Sequence, residues 1–139
     1  MSGMKTTAAA LLVVTSMTAQ AAEPETLTLA CNGTVTDDDK PEPVSMGIVV
    51  DFANRTVQGF LTPGDGLAVY YPVNITGWDD VTVSFRGSGS DKIGSSSIRG
   101  TMDRVTGDVS ALLLLSSDTN KLISALKYEL KCTPAQRKF

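Results

Sequence analysis

The chain has 139 residues, 12 basic and 15 acidic side chains, a net charge of −3 and no histidine, which sizes it as one domain and sets its surface against phosphate backbones and so against nucleic-acid binding. Without histidine it lacks the commonest general base, the usual triad partner and the commonest transition-metal ligand. No P-loop, dinucleotide fingerprint or zinc spacing occurs, and no paired carboxylates fall on neighbouring inward positions, so the expectation is a protein that is not an enzyme and takes no cofactor.

At the N-terminus, Lys5 precedes an apolar run from Ala8 to Val14 that gives way to small and polar residues and ends in Ala19-Gln20-Ala21. A basic start, a short apolar stretch and an A-x-A end are what signal peptidase reads, and the run is too short to span a bilayer. Residues 1–21 are therefore expected to be a signal peptide and 22–139 a single β domain, periplasmic or secreted, with no membrane span. Removing Lys5 from the 12 basic residues leaves 11 against 15 acidic ones, a mature net charge of −4. The two cysteines, Cys31 and Cys132, stand near the two ends of that domain, and an even count in an exported chain is normally bridged.

From there on, period-2 alternation recurs between turn-forming residues. Leu27, Leu29 and Cys31 share one face, as do Met46, Ile48, Val50 and Phe52, and then Val57, Gly59 and Leu61. Val69, Tyr71, Val73 and Ile75 follow, then Val81, Val83 and Phe85, then Ile98, Gly100 and Met102. Two longer runs finish the chain, Asp108–Ser117 and Lys121–Cys132. In the last run Leu122, Ile123, Leu126 and Leu130 also fit a helix face. The alternation of Leu126, Tyr128, Leu130 and Cys132 favours a strand and puts Cys132 on the buried face, as Cys31 is. Pairing first strand with last would place the disulfide where a barrel closes, which removes the sheet edges. The predicted fold is an all-β, small antiparallel eight-stranded up-and-down (lipocalin-like) barrel, with a β-sandwich as the alternative.

Two turn regions, Asp51–Val57 and Asp103–Val109, share the pattern D-x-x-[NT]-x-x-V, in which the leading Asp accepts turn N–H bonds and Asn54 or Gly107 supplies positive φ. If eight strands alternate in direction, the short connections at 53–55, 77–80 and 104–107 share one end. Those at 37–43, 62–68 and 87–95 read as long and share the other, with the tight 118–120 turn. Loops gathered on a rigid scaffold are where binding resides. This singles out Asp37, Asp38, Asp39, Asp65, Asp91 and Lys92, with Tyr70 beside them, as candidate binding residues. The Asp37-Asp38-Asp39 run is also the one place with oxygen ligands for Ca²⁺, helped by Glu42 or Asp65, although the EF-hand spacing is absent and a solvated acidic turn accounts for it. Trp78 falls in a short turn, and Leu112 and Leu114 fall on the outward face of their strand.

The stretches Ile98–Val109 and Tyr128–Phe139, with Lys40-Pro41-Glu42-Pro43 and Met46-Gly47-Ile48, resemble small exported proteins of rhizobial α-proteobacteria. That resemblance implies the compartment and carries no activity. The architecture is also similar to periplasmic eight-stranded barrels that inhibit lysozymes or proteases. The S-G-x-x-Y stretch of the lysozyme inhibitors is not matched, because Ser88-Gly89-Ser90 is followed by Asp91 with no tyrosine near. The leading expectation is a non-catalytic binding module for a protein partner, with enzyme inhibition as one form of it. The alternative is a carrier of a small apolar ligand inside the barrel.

Overall fold

The computed structural model describes residues 26–61 and 69–135; the expected signal peptide and Asp65 lie outside them. The chain runs through eight strands: β1 (Thr26–Asp37), β2 (Lys40–Asp51), β3 (Thr56–Gln58), β4 (Val73–Trp78), β5 (Thr82–Ser90), β6 (Gly94–Asp103), β7 (Asp108–Ser117) and β8 (Leu122–Pro134). Each pairs antiparallel with the next, and β1 pairs with β8, so the sheet is a closed up-and-down barrel and not a sandwich. The ambiguous last run is strand throughout, and no helix occurs among the described residues.

The alternation sorts the side chains. Leu29, Cys31, Met46, Ile48, Val50, Val83, Phe85, Ile98, Leu113 and Leu126 point inward and are buried, while Ala30, Asn32, Arg86, Arg99 and Lys127 between them face solvent. Each large inward side chain contributes about 1.5–3 kcal/mol by leaving water. Cys31 lies directly opposite Cys132 across the β1–β8 seam, with Cα atoms 4.1 Å apart and their sulfurs bonded. The closing strand pair is therefore covalent as well as hydrogen-bonded.

Alternating strand direction puts the β2–β3, β4–β5 and β6–β7 turns at one end, here the base, together with the start of β1 and the end of β8. The other four connections form the rim. Two of the rim connections that read as long loops are tight hairpins. β1 and β2 stay paired out to Asp37 and Lys40, which leaves Asp38 and Asp39 as a two-residue turn with φ of 50° and 62°. β5 and β6 stay paired out to Ser90 and Ser95, which leaves a short turn at 91–93.

The region after Val57 also departs from its alternation. β3 ends at Gln58, and Gly59 takes φ +113°, a conformation closed to most side chains. That break turns Phe60 inward, where it is 1% exposed and packs on Phe85 (centroids 5.3 Å apart) and edge-on to Tyr128 (5.9 Å), while Leu61 is left only partly buried. The Tyr128 hydroxyl donates to the Leu61 carbonyl at 2.8 Å and pins this plug. Burial, with the nearby Tyr71 phenol adding to it, pushes the Tyr128 phenol up to about 12.

Candidate functional site

An eight-stranded barrel has an interior just wide enough for its own side chains or for one small ligand. Here the cavity between Ile48, Val57, Phe60, Val83, Phe85 and Met102 gives the centre of a water-sized sphere about 10 Å³ to move in, room for one water molecule and little more. Further toward the rim the interior carries a buried polar pair, the Tyr71 hydroxyl 2.7 Å from the Ser96 hydroxyl. Burial raises the Tyr71 phenol above the usual tyrosine range, against the opposing effect of that hydrogen bond. No buried side-chain nitrogen or oxygen lacks a partner among the described residues.

The base is a closed surface. Asp51 accepts from the Asn54 backbone and side-chain amides, Asp79 from the Val81 and Thr82 amides, and Asp103 from the Val105 and Thr106 amides. These bonds hold all three carboxyls below the usual range. The shared D-x-x-[NT]-x-x-V pattern is thus shared turn chemistry. In the first copy it is Arg55, at φ 58°, and not Asn54, that takes the positive φ; in the second it is Gly107. Arg55 lies 5.0 Å over the Trp78 ring, Trp78 packs 5.5 Å from Phe52, and Arg104 lies 5.2 Å over Phe52 while donating to the Asp79 carbonyl. Trp78 ends β4 opposite Val83 and is half-buried, not free in a turn.

The rim is different. Tyr70, Ile93, Leu122 and Ile123 are 62%, 82%, 61% and 64% exposed. Tyr70, Asp91, Ile93, Ser96, Leu115 and Ile123 line one open groove of about 250 Å³ at the tip of β5–β6 and β7–β8. Of the residues proposed from the sequence, Tyr70 and Asp91 meet in this groove. The Asp91 carboxylate is already occupied, accepting from the Ile93 and Gly94 amides, so its work is to shape the turn. Lys92 sits in that same turn, exposed, and Asp37, Asp38 and Asp39 occupy the β1–β2 tip without lining the groove. Among the described residues no three acidic or thiol side chains gather as a cation site.

Sequence reasoning missed Ile93, Leu122 and Ile123. Ile93 carried a signal: it is the one large apolar residue in the polar and glycine-rich stretch Gly87–Ser97, where a turn has no interior to bury it. Leu122 and Ile123 were hidden inside a longer apolar run. No helix among the described residues is long and apolar enough to cross a membrane. Compared with protein-family models, curated proteins and solved structures, the chain matches none of them.

Proposed function

We propose that this protein is a non-catalytic binding module that takes a protein partner on the barrel rim, in the periplasm or outside the cell. The observation that carries the reading is the exposed cluster of Tyr70, Ile93 and Ile123 around a shallow groove at the rim, with Leu122 exposed beside Ile123 in the chain. Uncovered large apolar side chains grouped beside one another are where partners bind, with tyrosine the favoured anchor. The cavity lined by Ile48, Val57, Phe60, Val83, Phe85 and Met102 has room for little more than one water molecule, which favours surface recognition over carriage of an apolar ligand. The bridged Cys31–Cys132 pair fits an oxidising compartment. The absence of histidine and the commitment of Asp51, Asp79, Asp91 and Asp103 to turn amides support a role without catalysis.

The test compares wild type with an Ile93→Asp/Ile123→Asp variant, each immobilised and exposed to a periplasmic extract. Both side chains are exposed, so the variant keeps its circular dichroism and melting point. It is expected to lose the protein that wild type retains. Equal retention by the two would sink the rim as the binding surface.

A further inference from the structure

A second feature lies on the outer wall, away from the rim. The described residues include four arginines, and two of them, Arg55 and Arg104, lie over aromatic rings at the base. The other two, Arg86 and Arg99, are placed directly opposite each other across β5–β6, both exposed, with neither an acidic partner nor a ring contact among the described residues. Like charges facing each other across a strand pair destabilise a sheet. A chain with more acids than bases has many ways to place a carboxylate beside them, and none among the described residues does so.

The neighbourhood is built to leave these guanidinium groups accessible. Two residues toward the base, on the same outward face, the register sets Ser84 opposite Thr101 and Thr101 opposite Ser110. These short side chains form the floor of an open groove of about 700 Å³ between the arginines and Lys127. Lys127 closes the far side, paired with Glu129 at 3.1 Å. Two adjacent guanidinium forks with hydroxyl donors beneath them match the oxygens of a phosphate, which each fork can take in bidentate fashion.

We propose that this groove binds a soluble phosphomonoester, its phosphate held between Arg86 and Arg99 and its body lying over Ser84, Thr101 and Ser110. Charge decides between a small ligand and an anionic bilayer. A small anion responds to the charges within a Debye length, about 8 Å at physiological salt, where the arginines dominate. A bilayer meets the whole surface, and the chain's net charge of −3 repels it.

Titration of isotopically labelled protein with glycerol 1-phosphate, followed by NMR, tests the assignment. The Arg86 and Arg99 side-chain N–H signals are expected to shift saturably, and Arg86→Gln or Arg99→Gln each to weaken binding about tenfold or more. Without ligand, each variant should melt no lower than wild type, since the substitution relieves repulsion. Flotation with phosphatidylglycerol vesicles should leave the protein behind. The proposal is overturned by an absence of saturable shifts, by binding that survives in the Arg86→Gln/Arg99→Gln double variant, or by vesicle binding without glycerol 1-phosphate binding. Rim variants such as Ile93→Asp leave this titration unchanged, so the wall and the rim stand or fall separately.

Discussion

The two ends of the barrel solve much the same problem, since apart from the long β3–β4 connection at the rim each turn passes four or fewer residues between antiparallel strands, with different outcomes for their large side chains. At the base, Phe52 and Trp78 fold inward against each other, and Arg55 and Arg104 lie across them. Among the described residues, Val81 and Val105 are the large apolar side chains left exposed there. At the rim, Asp91 organises its turn with the same pair of amide bonds that Asp79 and Asp103 make at the base. Yet Ile93, Leu122, Ile123 and Tyr70 remain in water. The Asp91 turn is as well made as those at the base, so the exposure of Ile93 does not follow from poor local structure. A protein that can bury aromatics under cations at one end has left apolar side chains in water at the other, which is the contrast behind the proposed partner site.

That contrast can be broken most severely at the seam. Cys132 donates its amide to the Gly107 carbonyl of a base turn while its sulfur joins Cys31. A Cys31→Ser/Cys132→Ser variant frees a loop spanning a sequence separation of 101 residues. It is expected to lose up to about 4.7 kcal/mol on the chain-entropy model, read as a lower urea midpoint that reducing agent reproduces in wild type. Next in size, Phe52→Ala empties a buried position under Arg104 and should cost about 3 kcal/mol. The rim change Ile123→Asp should stay within about 0.5 kcal/mol, because it disturbs no packing. Equal losses from the two, by urea denaturation, would erase the distinction between ends.

The subtlest probe is pH, which should loosen the ends in opposite directions. Asp51, Asp79, Asp103 and Asp108, all at the base, have carboxyls held low by hydrogen bonds, in Asp108 from Lys131 and Thr106. Groups lowered by folding add stability that is fully present above their unfolded value, about 3.9, and is lost as pH falls through the folded value. The phenols of Tyr71 and Tyr128 are raised, so their contribution is complete below the unfolded value, about 10, and is lost as pH rises through the folded one, about 12 for Tyr128. Trp78, the only tryptophan, stands at the base and reports there. Its fluorescence should change on acidification below about pH 4 before amide exchange near Ser96 does, with the reverse order in alkali.

Much of this barrel was legible because alternation is a strong signal when one face is buried. Met46, Ile48, Val50 and Phe52 read as an inward row and are one, and the matched inward phase of Cys31 and Cys132 led to the closing pair. The rim hairpins were not legible because their composition imitates loops. Pro41 and Pro43 argue against a strand, yet β2 tolerates them: β3 pairs only from Val49 onward, so the other flank of that stretch has no β3 partner asking for an N–H. The stretch Gly87–Ser97 looks flexible, but a Cβ at Gly89 would meet the Tyr71 ring, so the small residue there makes room for an aromatic. Phe60 escaped because a single positive φ at Gly59 inverted the phase behind it. The rim patch and the Arg86–Arg99 pair are spatial facts, set by register across strands, which a one-dimensional pattern does not carry.

The order of the ring also sets how the protein is made. Seven of its eight strand pairings join neighbours in sequence, and one, β1 with β8, joins the extremes. Hairpins close over short loops and form early, while the seam waits until the last strand exists and then pays the entropy of a loop nearly as long as the domain. Until that moment the growing sheet has two open edges, and both cysteines lie on those edges. With two cysteines in the chain, Cys31 and Cys132 have one intramolecular partner each, and their bond holds together the one strand pair whose closure spans the whole sheet.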